Sequence, residues 1–270
     1  MLTFFLKGGY MNKFFSNIKK YHKYAIRSAK AELKSEVADS YLNWLWWVLD
    51  PLCFMLIYTF IFGVVFNAKE QYFPIFIFIG LSMWDFFNRM MTNSVKIVKN
   101  NKAIVSKVYM PKYVLIFVKM LVNAFKMFIS FLIVIGMMVI WKVVPDWNVL
   151  YVIPIFIVLF VFSFGCSTIL LHFGVFVEDL ANVVRIGLRL LFYITGIFYR
   201  VGTRIPAPYG ELAEKYNPLA FLIASMRDAL IYQKTPSRKL LLLWFVVGVI
   251  ISAIGVRTIY KNENSYVKVI

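Results

Sequence analysis

The chain has 270 residues, 61% hydrophobic, 19% aromatic and 16% charged, with 30 basic against 13 acidic side chains and a net charge of +17. A soluble domain is about 45–50% apolar and about 25% charged, so this composition argues against a water-soluble globular protein, a disordered chain or a nucleic-acid-binding module. Its surplus of lysine and arginine is assigned first to cytoplasmic loops beside membrane spans.

At the N terminus, Phe4, Phe5 and Leu6 form too short an apolar core for a cleavable signal, and no small-residue cleavage site follows. Residues 1–10 are either part of the working chain or a start-site extension before Met11. Lys13, Lys20, Lys23, Arg27, Lys30 and Lys34 then recur at helical spacing beside Phe14, Ile18, Tyr21 and Ala25. A helix divided in this way lies in the membrane interface, with its apolar side in the acyl boundary and its cations toward anionic headgroups. The same cations either dock a protein partner or serve only to mark the cytoplasmic side.

Six apolar runs follow, near 44–66, 73–91, 113–141, 149–172, 181–199 and 239–260; a bilayer core needs about 20 residues of helix. The runs are long and uniformly apolar, unlike the alternating segments of a barrel. The predicted class is an all-α integral membrane protein with six transmembrane helices, both termini in the cytoplasm, an N-terminal amphipathic interface helix, and a re-entrant outer segment between spans five and six. It divides into a cytoplasmic segment 1–43, a transmembrane domain 44–260 and a cytoplasmic tail 261–270.

The first span carries Trp44, Trp47, Pro51, Phe54 and Tyr58 at offsets of 0, 3, 7, 10 and 14, along one helical face. Such a face can stack on sugar rings, or simply pack and anchor the helix. Asp50 falls at membrane depth, where a charge is a functional candidate. In the second span Asp85 and Arg89 are spaced i, i+4 and are expected to satisfy one another. The 96–112 loop holds Lys96, Lys99, Lys102, Lys107 and Lys112 without an acid. It predicts a short helix ending before Pro111, with Lys107, Val108, Tyr109 and Met110 forming either a knob for a partner's groove or a passive turn.

In the third span Lys119 can snorkel to the surface, whereas Lys126 needs a partner or water. Glu178 and Asp179 read as the turn before the fifth span. There Arg185, Arg189, Phe192, Gly196 and Tyr199 fall at 0, 4, 7, 11 and 14 on one face. The 200–239 stretch is an unusually long connection for a compact protein, of a kind that is often functional. Its apolar middle, 218–232, is too short to span and predicts a re-entrant or interfacial helical pair. Gly248 and Ser252 in the last span form a small-xxx-small step for close helix packing.

No phosphate-binding glycine loop, zinc-protease helix, nucleophile elbow or paired-cysteine motif is present. His22 and His172 are isolated, and Cys53 and Cys166 read as small buried hydrophobes. By itself the chain is expected to hydrolyse no ATP, to hold no metal and to use no cofactor. A secondary transporter and a polyprenyl-handling membrane enzyme are the other classes this leaves; the first predicts internal repeats and the second clustered acids, and neither pattern is visible.

Four segments together resemble the membrane subunit of ABC-2 type exporters of lipid-linked polysaccharide and teichoic acid. Glu32, Leu33, Lys34 and Ser35 lead to Ser40, Leu42, Trp46 and Pro51, similar to the family pattern S-x-L-G-x-x-W-x-x-x-x-P, with Asn43 in place of its glycine and Asp50 in place of its usual asparagine. Gly80, Leu81 and Trp84 follow, then Ile104, Val105, Ser106 and Lys107 through Pro111, then Asn217 and Pro218 with Arg227, Asp228, Leu230 and Tyr232. Where many relatives have Arg-Asp before the fifth span, this chain has Glu178-Asp179.

The resemblance implies a homodimer of six-span subunits in the bacterial plasma membrane, clamped onto two copies of a separate ATPase subunit that binds ATP and magnesium. Lys20, Lys23, Arg27 and 107–111 would couple to that ATPase. A polyprenyl-pyrophosphate-linked glycopolymer would pass Trp44, Trp47, Phe54, Tyr58, Arg185, Arg189, Phe192 and Tyr199, with Asn217, Pro218, Arg227 and Asp228 at an outer gate. The wording around Ser35 and Ser106 is similar to the wall teichoic acid branch; O-antigen or capsule-type polysaccharide is the next expectation.

Overall fold

The computed structural model describes residues 9–38, 41–65 and 70–269. Residues 1–8, most of the start-site extension considered above, and Ser40 of the first motif lie outside them. The described residues fold as helices without strands. In chain order these are α1 (Gly9–Ala38), α2 (Trp46–Tyr58, prolonged by a π-helical stretch Thr59–Val65), α3 (Phe73–Asn100), the short α4 (Lys102–Val105), α5 (Tyr113–Ile140), α6 (Val152–Phe176, led in by a 3-10 turn Trp147–Tyr151), α7 (Leu180–Ile194), the short α8 (Val201–Arg204), α9 (Tyr209–Tyr216), α10 (Pro218–Leu230) and α11 (Arg238–Val269).

Four helical stretches are long and apolar enough to cross a membrane: Trp46–Val65, Tyr113–Ile140, Trp147–Phe176 and Arg238–Tyr266. Helix α3 has 28 residues, but Asp85, Asn88 and Arg89 dilute its apolar surface. Helix α7, with 15 residues, reaches only about 22 Å at 1.5 Å per residue. It stops because Gly196 takes a left-handed φ of +74°, a conformation that suits a residue without Cβ. The predicted face running through Arg185, Arg189, Phe192, Gly196 and Tyr199 is therefore broken after Ile194. Tyr199 instead folds back and donates its hydroxyl to the Tyr193 carbonyl at 2.7 Å.

Helix α3 is the centre of the bundle, touching α2, α5, α6, α7 and α10, and residues 75–79 of its first turns are completely buried. Helices α6 and α11 make the most extensive pairing. There a Cβ on Gly248 would lie 3.1 Å from the Phe162 backbone, and the Ser252 hydroxyl donates to the Val161 carbonyl at 3.1 Å, as the small-xxx-small reading expects. The stretch 261–270, read from sequence as a tail, is helical through Val269 and buries Glu263 and Tyr266.

Helix α1 lies against α5, its apolar stripe inward and its cations outward. Lys119 of α5 pairs with Glu32, and Lys126 with Glu36 at 2.6 Å. Neither lysine is therefore left without a partner at membrane depth, which would be costly.

Candidate functional site

Between α2, α3, α5 and α7 lies a cavity of about 580 Å³, within the range of small-molecule sites. One wall is aromatic: Trp46, Trp47, Phe54 and Tyr58 of α2, Trp84 of α3 and Phe192 of α7. The Phe54 and Tyr58 rings are stacked with centroids 6.3 Å apart, and Trp84 meets Phe192 edge-on at 5.4 Å. The other wall is polar, with Asp50, Asn88, Asn123, Ser130 and two ion pairs, Arg89–Asp85 at 2.7 Å and Lys126–Glu36. Aromatic faces beside paired charges and amides offer both a stacking surface and directional hydrogen bonds.

Two of the helices that line the cavity, α2 and α7, have little covering. Only 6% of the apolar window of Trp46–Val65 is buried, against 39% for Tyr113–Ile140 and for Trp147–Phe176. In α7, Val183, Ile186, Leu190 and Tyr193 are exposed and Leu188 is the buried residue. Of the path residues expected from sequence, Trp47, Phe54, Tyr58 and Phe192 come together here. Trp44 does not; it is exposed on the 3-10 turn before α2. Arg185 and Arg189 are also exposed and do not line the cavity. Trp46, Trp84, Asp85, Arg89 and Lys126 were not placed on this path by sequence spacing, because their convergence depends on how α2, α3 and α5 are rotated about their axes.

The residues expected at an outer gate, Asn217, Pro218, Arg227 and Asp228, form a second cluster near the start of α3. Asn217 caps α10, its side-chain oxygen accepting from the Leu219 and Ala220 amides at 3.1 and 3.3 Å, and Pro218 occupies the first turn, where its missing N–H is no loss. Arg227 is 3% exposed. It donates to the main-chain carbonyls of Phe76, Gly196 and Ile197 at 3.0, 2.8 and 2.7 Å, with its guanidinium carbon 3.4 Å from the centre of the Phe76 ring. One side chain thus ties α10 to the start of α3 and the end of α7.

A Cβ on Gly80 would come 2.5 Å from an Arg227 nitrogen, so any larger residue there requires the guanidinium to shift from its three carbonyls. Gly80→Ala is expected to lower the melting temperature of the purified protein by roughly 2–8 °C, as about 1–2 kcal/mol of overpacking would; an unchanged melting curve would show that the clamp can shift freely. Beside it Asp228 pairs with Arg200 at 2.7 Å, and Tyr232 donates to Glu70 at 3.0 Å. Burial, and then the Glu70 carboxylate, push the Tyr232 phenol above its ordinary range, so it remains a neutral donor.

At the other end of the bundle, the 106–112 segment is held from two directions. Tyr21 of α1 donates to the Tyr109 carbonyl at 3.3 Å, and Tyr109 donates its hydroxyl to Glu263 of α11 at 3.2 Å. Glu263 also faces Lys112 at 3.6 Å, both side chains buried. The Glu263 carboxylate raises the Tyr109 pKa, which keeps that hydroxyl protonated and donating.

The expected short helix is α4, ending at Val105, and the knob after it is divided. Lys107, Val108 and Tyr109 are exposed, whereas Met110 and Pro111 are buried and serve as its base rather than its contact surface. Lys20, Lys23 and Arg27 are exposed on α1.

A helical bundle with four stretches apolar enough to cross a membrane and an aromatic, charge-lined cavity fits the class of membrane transport subunits. More specifically, residues 26–231 match the family model described as ABC-2 type transporter, and the chain belongs to that family. It is similar to two O-antigen export system permease proteins RfbA of Klebsiella pneumoniae, each 27% identical over 240 residues covering 88% of this chain and 92% of the relative. It is also similar to the O-antigen export system permease protein RfbA of Myxococcus xanthus, 27% identical over 229 residues covering 84% and 87%. As a family member, the chain is a multi-pass subunit of the bacterial plasma membrane that relies on a separate ATPase subunit.

Proposed function

We propose that this chain is the permease half of a homodimeric exporter that moves a polyprenyl-pyrophosphate-linked envelope polymer through a path between its two copies. The observation that carries the reading is the aromatic cavity lined from α2 and α7, two helices whose apolar faces are little covered among the described residues of one chain. A twofold partner supplies that cover with the same surface it receives. The topology that goes with it has six crossings, with α3 and α7 joining the four more apolar stretches, both termini cytoplasmic and α8–α10 re-entrant. Stacking on Trp47, Phe54 and Tyr58 tolerates many sugar sequences, which suits a conveyor better than a recognition site.

Two copies of an ATP- and magnesium-binding subunit sit under Lys20, Lys23, Arg27, Lys107, Val108 and Tyr109. Wall teichoic acid, by the wording near Ser35 and Ser106, and an O-antigen-type polysaccharide, by the relatives' names, are the first two cargoes to assay.

Arg185 and Arg189 are exposed on the uncovered helix α7 and are the residues we assign to the cargo's pyrophosphate, because a guanidinium fork matches phosphate oxygens in pairs. Changing both to Gln is expected to abolish cargo-stimulated ATP hydrolysis in the reconstituted complex; unchanged stimulation and export reject the assignment. For the coupling surface, Tyr109→Cys is expected to crosslink to the co-purified ATPase, and an intact complex without crosslink places the contact elsewhere.

A further inference from the structure

A second cavity, of about 410 Å³, lies beneath the N-terminal third of α1. Phe14, Phe15 and Ile18 roof it, and α5, α6 and α11 wall it through residues such as Phe117, Phe164 and Val249. Its lining is hydrocarbon throughout apart from Ser252, whose hydroxyl is already given to the Val161 carbonyl. All three walls belong to stretches apolar enough to cross the membrane. An apolar cavity of this size offers water no hydrogen-bond partners.

Cations stand beside it. Lys13, next to roof residue Phe14, places its ammonium 5.4 Å from the centre of the Tyr260 ring, and Arg257 is exposed beside wall residue Val256. Helix α1 is fastened here by an Asn17–Tyr260 hydrogen bond of 2.9 Å and by contacts of the Phe14 ring that include Tyr113 and Phe164 at 5.1 and 6.2 Å, while Phe15 remains exposed.

We infer that this cavity binds one acyl chain of an anionic phospholipid of the cytoplasmic leaflet, with the phosphate held at Lys13 and Arg257, and that the bound lipid props α1 against the bundle. Apolar area and headgroup charge are the two contributions that hold lipid at such sites. The site shares no lining residue with the aromatic cavity and does not depend on which polymer is exported.

The test uses the intact complex with its ATPase in nanodiscs containing a photoactivatable acyl-chain phosphatidylglycerol or the matching phosphatidylcholine, followed by peptide mass spectrometry. Phosphatidylglycerol is expected to label 14–18 and 245–256 in preference to phosphatidylcholine. Val249→Trp, which fills the cavity, should cut that labelling about tenfold, the loss of about two methylenes of buried chain. Ile250→Trp, exposed one residue away, should leave it unchanged. Lys13→Gln with Arg257→Gln should reduce phosphatidylglycerol to the phosphatidylcholine level. If Val249→Trp fails to fold, Val161→Phe fills the cavity from the facing wall.

Labelling that ignores the cavity-filling variant, equal labelling by the two lipids, or displacement of the label by a polyprenyl phosphate but not by unlabelled phosphatidylglycerol overturns the inference.

Discussion

Replacing Arg227 with leucine is expected to cost about 3–5 kcal/mol, because the Gly196 and Ile197 carbonyls lose their donor at about 1–3 kcal/mol each and the Phe76 carbonyl, which keeps its helical partner, loses its second. At about 2–4 °C per kcal/mol this is a fall of roughly 6–20 °C in melting temperature. Arg227→Lys should recover only part of it. An ammonium has three donors but no planar fork, and it cannot serve Phe76, Gly196 and Ile197 while lying over the Phe76 ring. A lysine variant that melts with the wild type would mean that charge alone, and not the three-carbonyl clamp, holds α10 in place.

Changing Trp47 and Phe54 together to alanine is expected to slow export by about tenfold to a hundredfold. Two ring faces at about 0.5–1.5 kcal/mol each are removed from the path, and every 1.4 kcal/mol is a factor of ten. Trp47→Phe with Phe54→Tyr keeps both faces and should retain most of the rate. Polymer flux into the lumen of inverted vesicles is the readout, with co-purification of the ATPase showing that assembly is intact. If the alanine pair exports as fast as the aromatic pair, the cavity is not on the path.

The long helices were legible because their apolar runs exceed anything a soluble core needs, and α1 because its cations keep a helical period. The Asp85–Arg89 pair was legible for a similar reason, since i, i+4 neighbours meet within one helix. What failed to show in the sequence depends on other elements. Glu36 and Glu32 find Lys126 and Lys119 across about 90 residues of chain, a separation that leaves no local pattern.

Arg227 is the plainest case. The N-P…R-D wording marked it as an outer-gate residue, yet its partners are backbone carbonyls, which every residue type carries and no sequence reveals. The same holds for Arg185 and Arg189: their spacing with Phe192 is correct for a helix, but the turn at Gly196 ends that face and the cavity takes in Phe192 without them. Glu263 was hidden for the opposite reason, because a polar run after the last apolar stretch reads as a tail, whereas α11 continues and places that carboxylate between Tyr109 and Lys112.

This bundle carries no ATPase motif of its own and relies on a separate ATPase subunit; we propose that the force reaches it through α1 and the 106–112 segment. The most direct test of this dependence is translocation of a lipid-linked glycan across proteoliposomes holding the chain alone, the chain with its ATPase and ATP, or the same complex with a non-hydrolysable nucleotide. Accumulation is expected only in the second; accumulation against a gradient by the chain alone would show that the bundle needs no ATPase.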